Sequence, residues 1–199
     1  MDPNDLRKAL EDPRTLPGGG EPDTLVETHV SVLAFHGERV FKLKKAVDLG
    51  FVDQRAVERQ RHFASEELRL NARLSPDLYV GLVELRREAD GVRLRGADEV
   101  GDGEVLAVGI EMRRLPLEGM LDRKLERGEI DNALLSRLAR RLADFHAAAE
   151  RGPEVDRCAS LEGVSRNALD NLEATRGDVG DVERSGTALV SPALHGHLD

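Results

Sequence analysis

The chain has 199 residues, 40% of them hydrophobic, which is enough for one full domain with a packed core and excludes wholesale disorder. A formal net charge of −9 and only 3% aromatic residues argue against a dedicated nucleic-acid binder, which needs basic surfaces and stacking platforms. A single cysteine, Cys158, excludes an intramolecular disulfide, and no apolar stretch reaches membrane-spanning length. We therefore expect a cytoplasmic protein whose partners include neither nucleic acid nor a membrane.

The N-terminal region predicts a short helix followed by two strands. Residues 4–11 fit a helix that Pro13 stops, and the glycine- and proline-rich segment 17–23 is typical of a flexible connector. Alternating apolar residues then predict β-strands over 28–35 and 39–44, joined by the short turn His-Gly-Glu.

The second of these strands carries a cluster of lysines. Three of the five lysines in the chain, Lys42, Lys44 and Lys45, fall within four positions, although arginine is otherwise the usual cation. Because alternate side chains on a strand share a face, Lys42 and Lys44 project together, while Phe41 and Leu43 project to the other side. Lysine is a common phosphate ligand, so the cluster predicts an anion site. The alternative is a basic sheet edge that discourages aggregation.

A helix is predicted over about residues 54–74. One stripe of this helix should be buried, and it contains Phe63, Glu67, Leu70 and Leu74. The neighbouring face is strongly charged, which places Glu66 in solvent and its neighbour Glu67 against the core. A buried carboxylate needs a cation or hydrogen-bond donors, so Glu67 is the candidate partner of a basic group.

Three more strands and three more helices follow. The strands are predicted over 79–85, 91–95 and 104–112, and the helices over 118–127, 131–150 and 160–175. This order predicts an α+β fold with a small antiparallel sheet. We expect three regions: a helix with its connector (1–23), a sheet-containing lobe (24–115) and a helical part with a weakly ordered tail (116–199).

Three stretches of sequence resemble a known family. They are ETHVSVLAFHGERVFKLKKAVDLGFVD, ERQRHFASEELRLNARLSPDLYVGLVEL and IEMRRLP, which are similar to the aminoglycoside phosphotransferase-like family of kinase-like proteins. Members of that family often carry an additional P-loop kinase domain. The resemblance covers about residues 27–150. It implies a protein-kinase-like small lobe, made of an antiparallel sheet and one helix, followed by an incomplete and mostly α-helical second lobe.

The resemblance also implies which residues bind a nucleotide. Lys42 or Lys44 would hold the phosphates, with Lys44 preferred, and Glu67 would pair with that lysine. Glu111 and Met112 would line the adenine site through their backbone groups. ATP and Mg²⁺ are the implied cofactors, and the implied parent activity is phosphoryl transfer to the hydroxyl of a small molecule, which the sequence does not identify.

The catalytic loop of the family, of the kind His-Gly-Asp-x-x-x-x-Asn, has no counterpart in this sequence. The final residues include His195 and Gly196, but His197 stands where the aspartate belongs, and no asparagine follows. No catalytic residue is therefore predicted, and nucleotide binding is the most that we expect. A truncated or frameshifted kinase-like protein is the preferred explanation, and a short pseudokinase is the alternative.

Two interpretations from other classes stay open. His195, His197 and Asp199 match the start of the zinc-ligand run of a metallo-hydrolase, since residues two apart on a strand share a face, and the chain could be a fragment of such a zinc-dependent hydrolase. The charged helix face within 55–73 could instead serve a non-catalytic interaction module. The arginine pair at 113–114 is interpreted as a solvated linker.

Overall fold

The computed structural model describes residues 1–50, 52–101 and 103–185. They form an antiparallel sheet of six strands: β1 (Thr24–Glu27), β2 (Ser31–His36), β3 (Arg39–Lys44), β4 (Tyr79–Glu88), β5 (Gly91–Gly96) and β6 (Glu104–Arg113). The strands lie in the order β1-β2-β3-β6-β4-β5, so the last strand in the sequence pairs between β3 and β4. The predicted α+β class is confirmed.

The helices are α1 (Pro3–Glu11), α2 (Val57–Asn71), α3 (Leu121–Glu126), α4 (Asn132–Ala147), α5 (Pro153–Cys158) and α6 (Leu161–Ser185), with a 3₁₀ turn at Leu117–Gly119. Among the described residues, no helix is both long and apolar enough to cross a membrane. Residues Met1–Phe145 form one compact unit, and a second begins at His146. The three-region division expected from the sequence stays a prediction.

Helix α1 covers one face of the sheet. The side chain of Asp2 caps it by accepting a hydrogen bond from the Asn4 backbone N–H at 2.8 Å. Leu6 and Leu10 are fully buried, and each such side chain contributes about 1.5–3 kcal/mol of hydrophobic stabilisation. The core that they enter also contains Leu16, Val32, Ala34, Phe41, Leu43, Val83, Leu85, Leu94 and Ala107.

Helix α2 covers the opposite face of the sheet. Its fully buried Ala64 packs against Val108 and Ile110 of β6. The predicted buried stripe is wrong in part, because Leu70 is exposed and the buried positions are Gln60 and Ala64. The small alanine lets the helix approach the sheet closely, and Val57 and Leu68 of the same helix pack against this cluster while remaining partly exposed.

The lysine strand β3 lies inside the sheet, between β2 and β6. The interpretation of its lysines as protection for an exposed edge is therefore wrong for the folded chain. The strand predicted over 28–35 begins later in the structure, at Ser31 of β2, and the preceding strand β1, which ends at Glu27, was not predicted. A tight turn separates the two, in which the Ser31 backbone N–H donates to the Thr28 hydroxyl at 3.0 Å.

Gly109 allows β6 to pack closely against the lysine strand. It lies opposite Leu43 of β3 and Val83 of β4. A Cβ atom at this position would stand 2.3 Å from the Lys42 carbonyl oxygen and 2.8 Å from the Leu43 Cα. These atoms are backbone and cannot rotate aside, so the glycine helps to set where β3 and its lysines lie.

In the second unit, α5 is followed directly by α6. The Ser160 hydroxyl donates to the Arg157 carbonyl oxygen at 2.6 Å and accepts from the Gly163 backbone N–H at 3.1 Å, which caps the start of α6. Helix α6 extends to Ser185, beyond the predicted end at 175. The weakly ordered tail expected over 176–199 stays a prediction, and residues 186–199 lie outside the described part of the chain.

Candidate functional site

Lys42, Lys44 and Glu67 form an ion cluster between β3 and α2. The Lys42 Nζ lies 2.7 Å from Glu67 Oε1, and the Lys44 Nζ lies 2.6 Å from Glu67 Oε2. Each carboxylate oxygen thus accepts a charge-assisted hydrogen bond from its own ammonium group. The structure brings together the three residues that the sequence singled out, in the facing arrangement that was predicted.

The three side chains differ in their exposure to solvent. The Lys44 side chain is only 6% exposed and Glu67 16%, whereas Lys42 is 26% exposed. Lys44 is therefore the buried support of the carboxylate, and Lys42 is the more solvent-exposed of the two lysines.

The cluster carries a surplus positive charge. Burial, the largest single influence, raises the pKa of Glu67, but the hydrogen bonds and charges of Lys42 and Lys44 together outweigh it, and the pKa lies below its usual value. Glu67 is consequently ionised at neutral pH. Two ammonium groups against one carboxylate leave one positive charge without a counter-ion in the cluster, in a chain whose net charge is −9. Such a site attracts an anion.

Lys45 has a separate structural role. Its Nζ lies 2.6 Å from Glu27 Oε1 and donates to the Thr28 carbonyl oxygen at 3.0 Å. The hydrogen bond and charge of Lys45 hold the pKa of Glu27 below its usual value. The third lysine thus attaches the turn between β1 and β2 to the end of β3.

Ser31 adds a polar group that sequence reasoning missed. It is the cross-strand neighbour of Lys44, and facing residues in a sheet share a side, so its side chain lies on the lysine face. The residue is completely buried, and its hydroxyl has no hydrogen-bond partner among the residues that the structure describes. A buried hydroxyl without a partner is uncommon in folded proteins, and sequence reasoning gave no sign of it.

Glu111 and Met112 lie on opposite faces of the sheet. Glu111 faces Phe41, on the side away from the lysines, and its carboxylate lies 3.3 Å from the Arg39 guanidinium. Met112 faces Val40, on the lysine side. Both residues have a strand on either side, so their backbone groups point toward neighbouring strands. The predicted backbone contact of these two residues with adenine stays a prediction.

Arg114 is part of the fold rather than a solvated linker, contrary to the sequence interpretation. Its Nη1 lies 2.6 Å from Asp23 Oδ2 and donates to the Gly37 carbonyl oxygen at 3.2 Å. Its guanidinium also lies 5.5 Å from the centre of the Phe35 ring. These contacts tie the exit of β6 to the residues around β2.

A second ion network, which sequence reasoning also missed, links α2 to β4. Glu84 is 3% exposed and accepts from Arg86 Nε at 2.8 Å and also from Arg61 of α2. Arg86 additionally donates to the Glu99 carbonyl oxygen at 3.0 Å. The available signal was the spacing of Glu84 and Arg86, which lie two apart on a strand and so share a face.

Gln60 attaches α2 to the sheet without a charge. Its Nε2 donates to the Gln54 carbonyl oxygen at 2.9 Å, and its Oε1 accepts from the Val108 backbone N–H at 3.1 Å. The residue is 1% exposed. Because both ends of the amide are used, this buried polar side chain is satisfied.

The charged outer face of α2 and the segment before it is engaged locally. Contacts within the chain are made by Arg55 with Asp48 and Asp53, by Arg59 with the Asp53 carbonyl, by Arg69 with Glu66 and by Arg73 with the Leu70 carbonyl. The interaction module suggested for this face stays a prediction.

The described residues offer a charge that suits the phosphates of ATP, but they do not offer a site for Mg²⁺. The surplus positive charge of the lysine cluster suits the phosphates of ATP. No group of three or more histidine, cysteine, aspartate or glutamate side chains in the described ranges is arranged to hold a metal ion, so we derive no role for Mg²⁺. His195, His197 and Asp199, the residues of the zinc alternative, lie outside the described ranges.

Comparison with known proteins found relatives in mycobacteria. Uncharacterized proteins from Mycobacterium bovis and Mycobacterium tuberculosis are each 30% identical to this chain over 156 residues, which cover 75% of this chain. The matched region spans about 28% of the length of these relatives. No family model matches the chain, and no solved structure matches it.

Proposed function

We propose that the lysine face of the sheet binds the phosphate groups of a nucleotide, and that this nucleotide is ATP. The observation that supports this most directly is the Glu67 carboxylate shared by Lys42 and Lys44, which leaves one positive charge in a half-buried position. Phosphate is the kind of ligand that such a charge attracts, and lysine is well suited to bind it. The resemblance to kinase-like proteins supplies the choice of ATP.

Within this site the two lysines have different roles. Lys42, the more exposed of the two, contacts the phosphates, while the buried Lys44 holds Glu67 in place. The assignment reverses the preference for Lys44 that came from the sequence.

The proposal extends to the fold and to the longer relatives. A lysine strand paired through a helix glutamate, within an antiparallel sheet, supports a protein-kinase-like small lobe. Phosphoryl transfer from ATP to the hydroxyl of a small molecule is our proposal for the longer protein. For these 199 residues we propose binding alone.

Calorimetric titration with ATP tests the proposal. We expect Lys42→Met to weaken ATP binding about tenfold or more, because a hydrogen bond to a charged group contributes about 1.5–3 kcal/mol. Lys124→Met is the matched control, since Lys124 lies in α3 and pairs with Glu129 at 3.5 Å. Inorganic tripolyphosphate should compete with ATP. Failure of the unaltered chain to bind ATP, or equal losses in the two variants, would contradict the proposal.

A further inference from the structure

We propose that Arg61 is a positioning residue, which fixes Glu67 and thereby the two lysines by tying α2 to β4. The inference deepens the nucleotide-binding role proposed above and rests on it for its meaning. The positioning of Glu67 by Arg61 can nevertheless be tested without a nucleotide.

Helix α2 reaches two different strands through ionic contacts. Arg61 donates to Glu84 on β4, and Glu67 accepts from Lys42 and Lys44 on β3. Strand β6 lies between β3 and β4, and Ala64, midway between Arg61 and Glu67, packs against β6. Positions 61, 64 and 67 are three residues apart and lie along one side of a helix. The helix thus crosses the sheet with an ionic contact on each side of its apolar contact.

The Arg61 contact is made to a carboxylate that is already fixed. Glu84 is 3% exposed and is held by Arg86, whose own side chain is 9% exposed. Arg86 is in turn fixed by the Glu99 carbonyl oxygen. Because this part of the network does not depend on α2, Glu84 provides a rigid point to which the helix attaches.

The same arrangement means that the loss of Arg61 should displace α2 without unfolding the chain. Removing the Arg61 guanidinium leaves Glu84 paired with Arg86, so no buried charge loses its last partner. The Arg61 side chain is 42% exposed, which also makes its loss tolerable. What the variant loses is the ionic contact between α2 and β4, while the contacts of Glu67 with Lys42 and Lys44 of β3 remain. A small displacement of the helix changes the Glu67 geometry, and sub-ångström to 1 Å errors are costly at functional sites.

Arg61→Met tests this inference, with Arg61→Lys as the conservative variant and Arg69→Met as the matched control. Arg69 lies on the same helix but pairs with Glu66 on the outer face. Carboxyl ¹³C NMR measures the Glu67 pKa, and calorimetry measures ATP affinity. In Arg61→Met we expect the Glu67 pKa to rise toward its ordinary value and ATP affinity to fall about tenfold, as supporting residues of metal sites commonly show. Arg61→Lys should change the Glu67 pKa and ATP affinity less than Arg61→Met does, and Arg69→Met should change neither quantity.

The outcomes distinguish the two proposals. If the Glu67 pKa and ATP affinity are both unchanged in folded Arg61→Met, then Gln60 and the packing of Ala64 position α2 without Arg61, and the inference is wrong. If the unaltered chain binds no ATP but the Glu67 pKa moves in Arg61→Met, the proposed function fails while the positioning role stands. Should Arg61→Met not fold, Arg61→Gln, which also removes the charge that pairs with Glu84, decides by the same two measurements.

Discussion

Replacing Glu67 by glutamine removes the charge of the ion cluster while keeping the shape of the side chain. The carboxylate separates Lys42 and Lys44, with contacts of 2.7 and 2.6 Å to its two oxygens. Glutamine offers one acceptor oxygen and a donor amide, so at least one ammonium group loses its acceptor. The more serious loss concerns Lys44, whose side chain is 6% exposed and cannot exchange its partner for bulk water.

The magnitude follows from these contacts. The two contacts and the width of one carboxylate place the ammonium nitrogens within roughly 7 Å, where like charges repel by about 2 kcal/mol at an effective dielectric constant of about 20. Breaking a fully buried pair by removing one partner costs about 3–5 kcal/mol, and the partial exposure of Lys42 reduces this. We expect Glu67→Gln to lower the free energy of unfolding by about 2–4 kcal/mol.

Urea unfolding at neutral pH measures this loss, with Glu66→Gln as the matched control. Glu66 is the adjacent residue, but its side chain is 39% exposed and pairs with Arg69 on the outer face. An exposed pair contributes about 0–1 kcal/mol, so the control should change little. Equal losses in the two variants would refute the reasoning, because they would mean that burial of the lysine cluster has no energetic consequence.

Three further predictions concern the same face of the sheet. The folded pKa of Glu67 lies below its ordinary value of 4.5, so the ionised carboxylate contributes its full stabilisation above that pH and loses it as pH falls through the folded pKa. The difference in free energy of unfolding between the unaltered chain and Glu67→Gln, measured in urea, should therefore shrink below about pH 4.5. Gly109→Ala should lower the free energy of unfolding by about 1–3 kcal/mol through overpacking against β3, whereas Gly81→Ala should not, because an added Cβ there meets no atom within 4 Å. Similar thermal unfolding midpoints for the two variants would contradict this prediction. Gln60→Leu removes the hydrogen-bond partner of the Val108 N–H and of the Gln54 carbonyl, and it should lower the free energy of unfolding by about 1–3 kcal/mol for each of these groups. Hydrogen exchange at the Val108 amide should become faster, and unchanged exchange would contradict the hydrogen bond to Gln60.

Local patterns in the sequence were sufficient for most of the secondary structure, although not for β1 or α5, and for singling out Lys42, Lys44 and Glu67. Strand alternation placed Lys42 and Lys44 on one face, and helical periodicity set Glu67 apart from Glu66. Both patterns depend only on neighbours within a few residues, which is why they could be found without a fold. The predicted burial of Glu67 marked it as needing a cation or hydrogen-bond donors, and the resemblance to kinase-like proteins supplied a lysine of β3 as its partner.

The missed features depend on contacts between distant segments. The pairing of β6 with β3 gave no local signal, so the edge interpretation of the lysines could not be excluded from the sequence. The buried positions of α2 were misplaced because close approach to the sheet favours Ala64 over Leu70, which only the packing partner reveals. Arg114 was interpreted as solvated for the same reason, since its partner Asp23 lies far away in the sequence.

The position of β6 has a consequence for how the chain folds. Strand β3 is synthesised early, but β6, which pairs with the edge of β3 opposite β2, is the last of the six strands to leave the ribosome. Until β6 arrives, β3 is a temporary edge, and the charges of Lys42 and Lys44 then disfavour pairing with another chain. Pairing of β6 between β3 and β4 closes the longest loop of the sheet, so we expect it to be the slow step of folding. Chains that end before Gly109 would expose both unpaired strands and should aggregate.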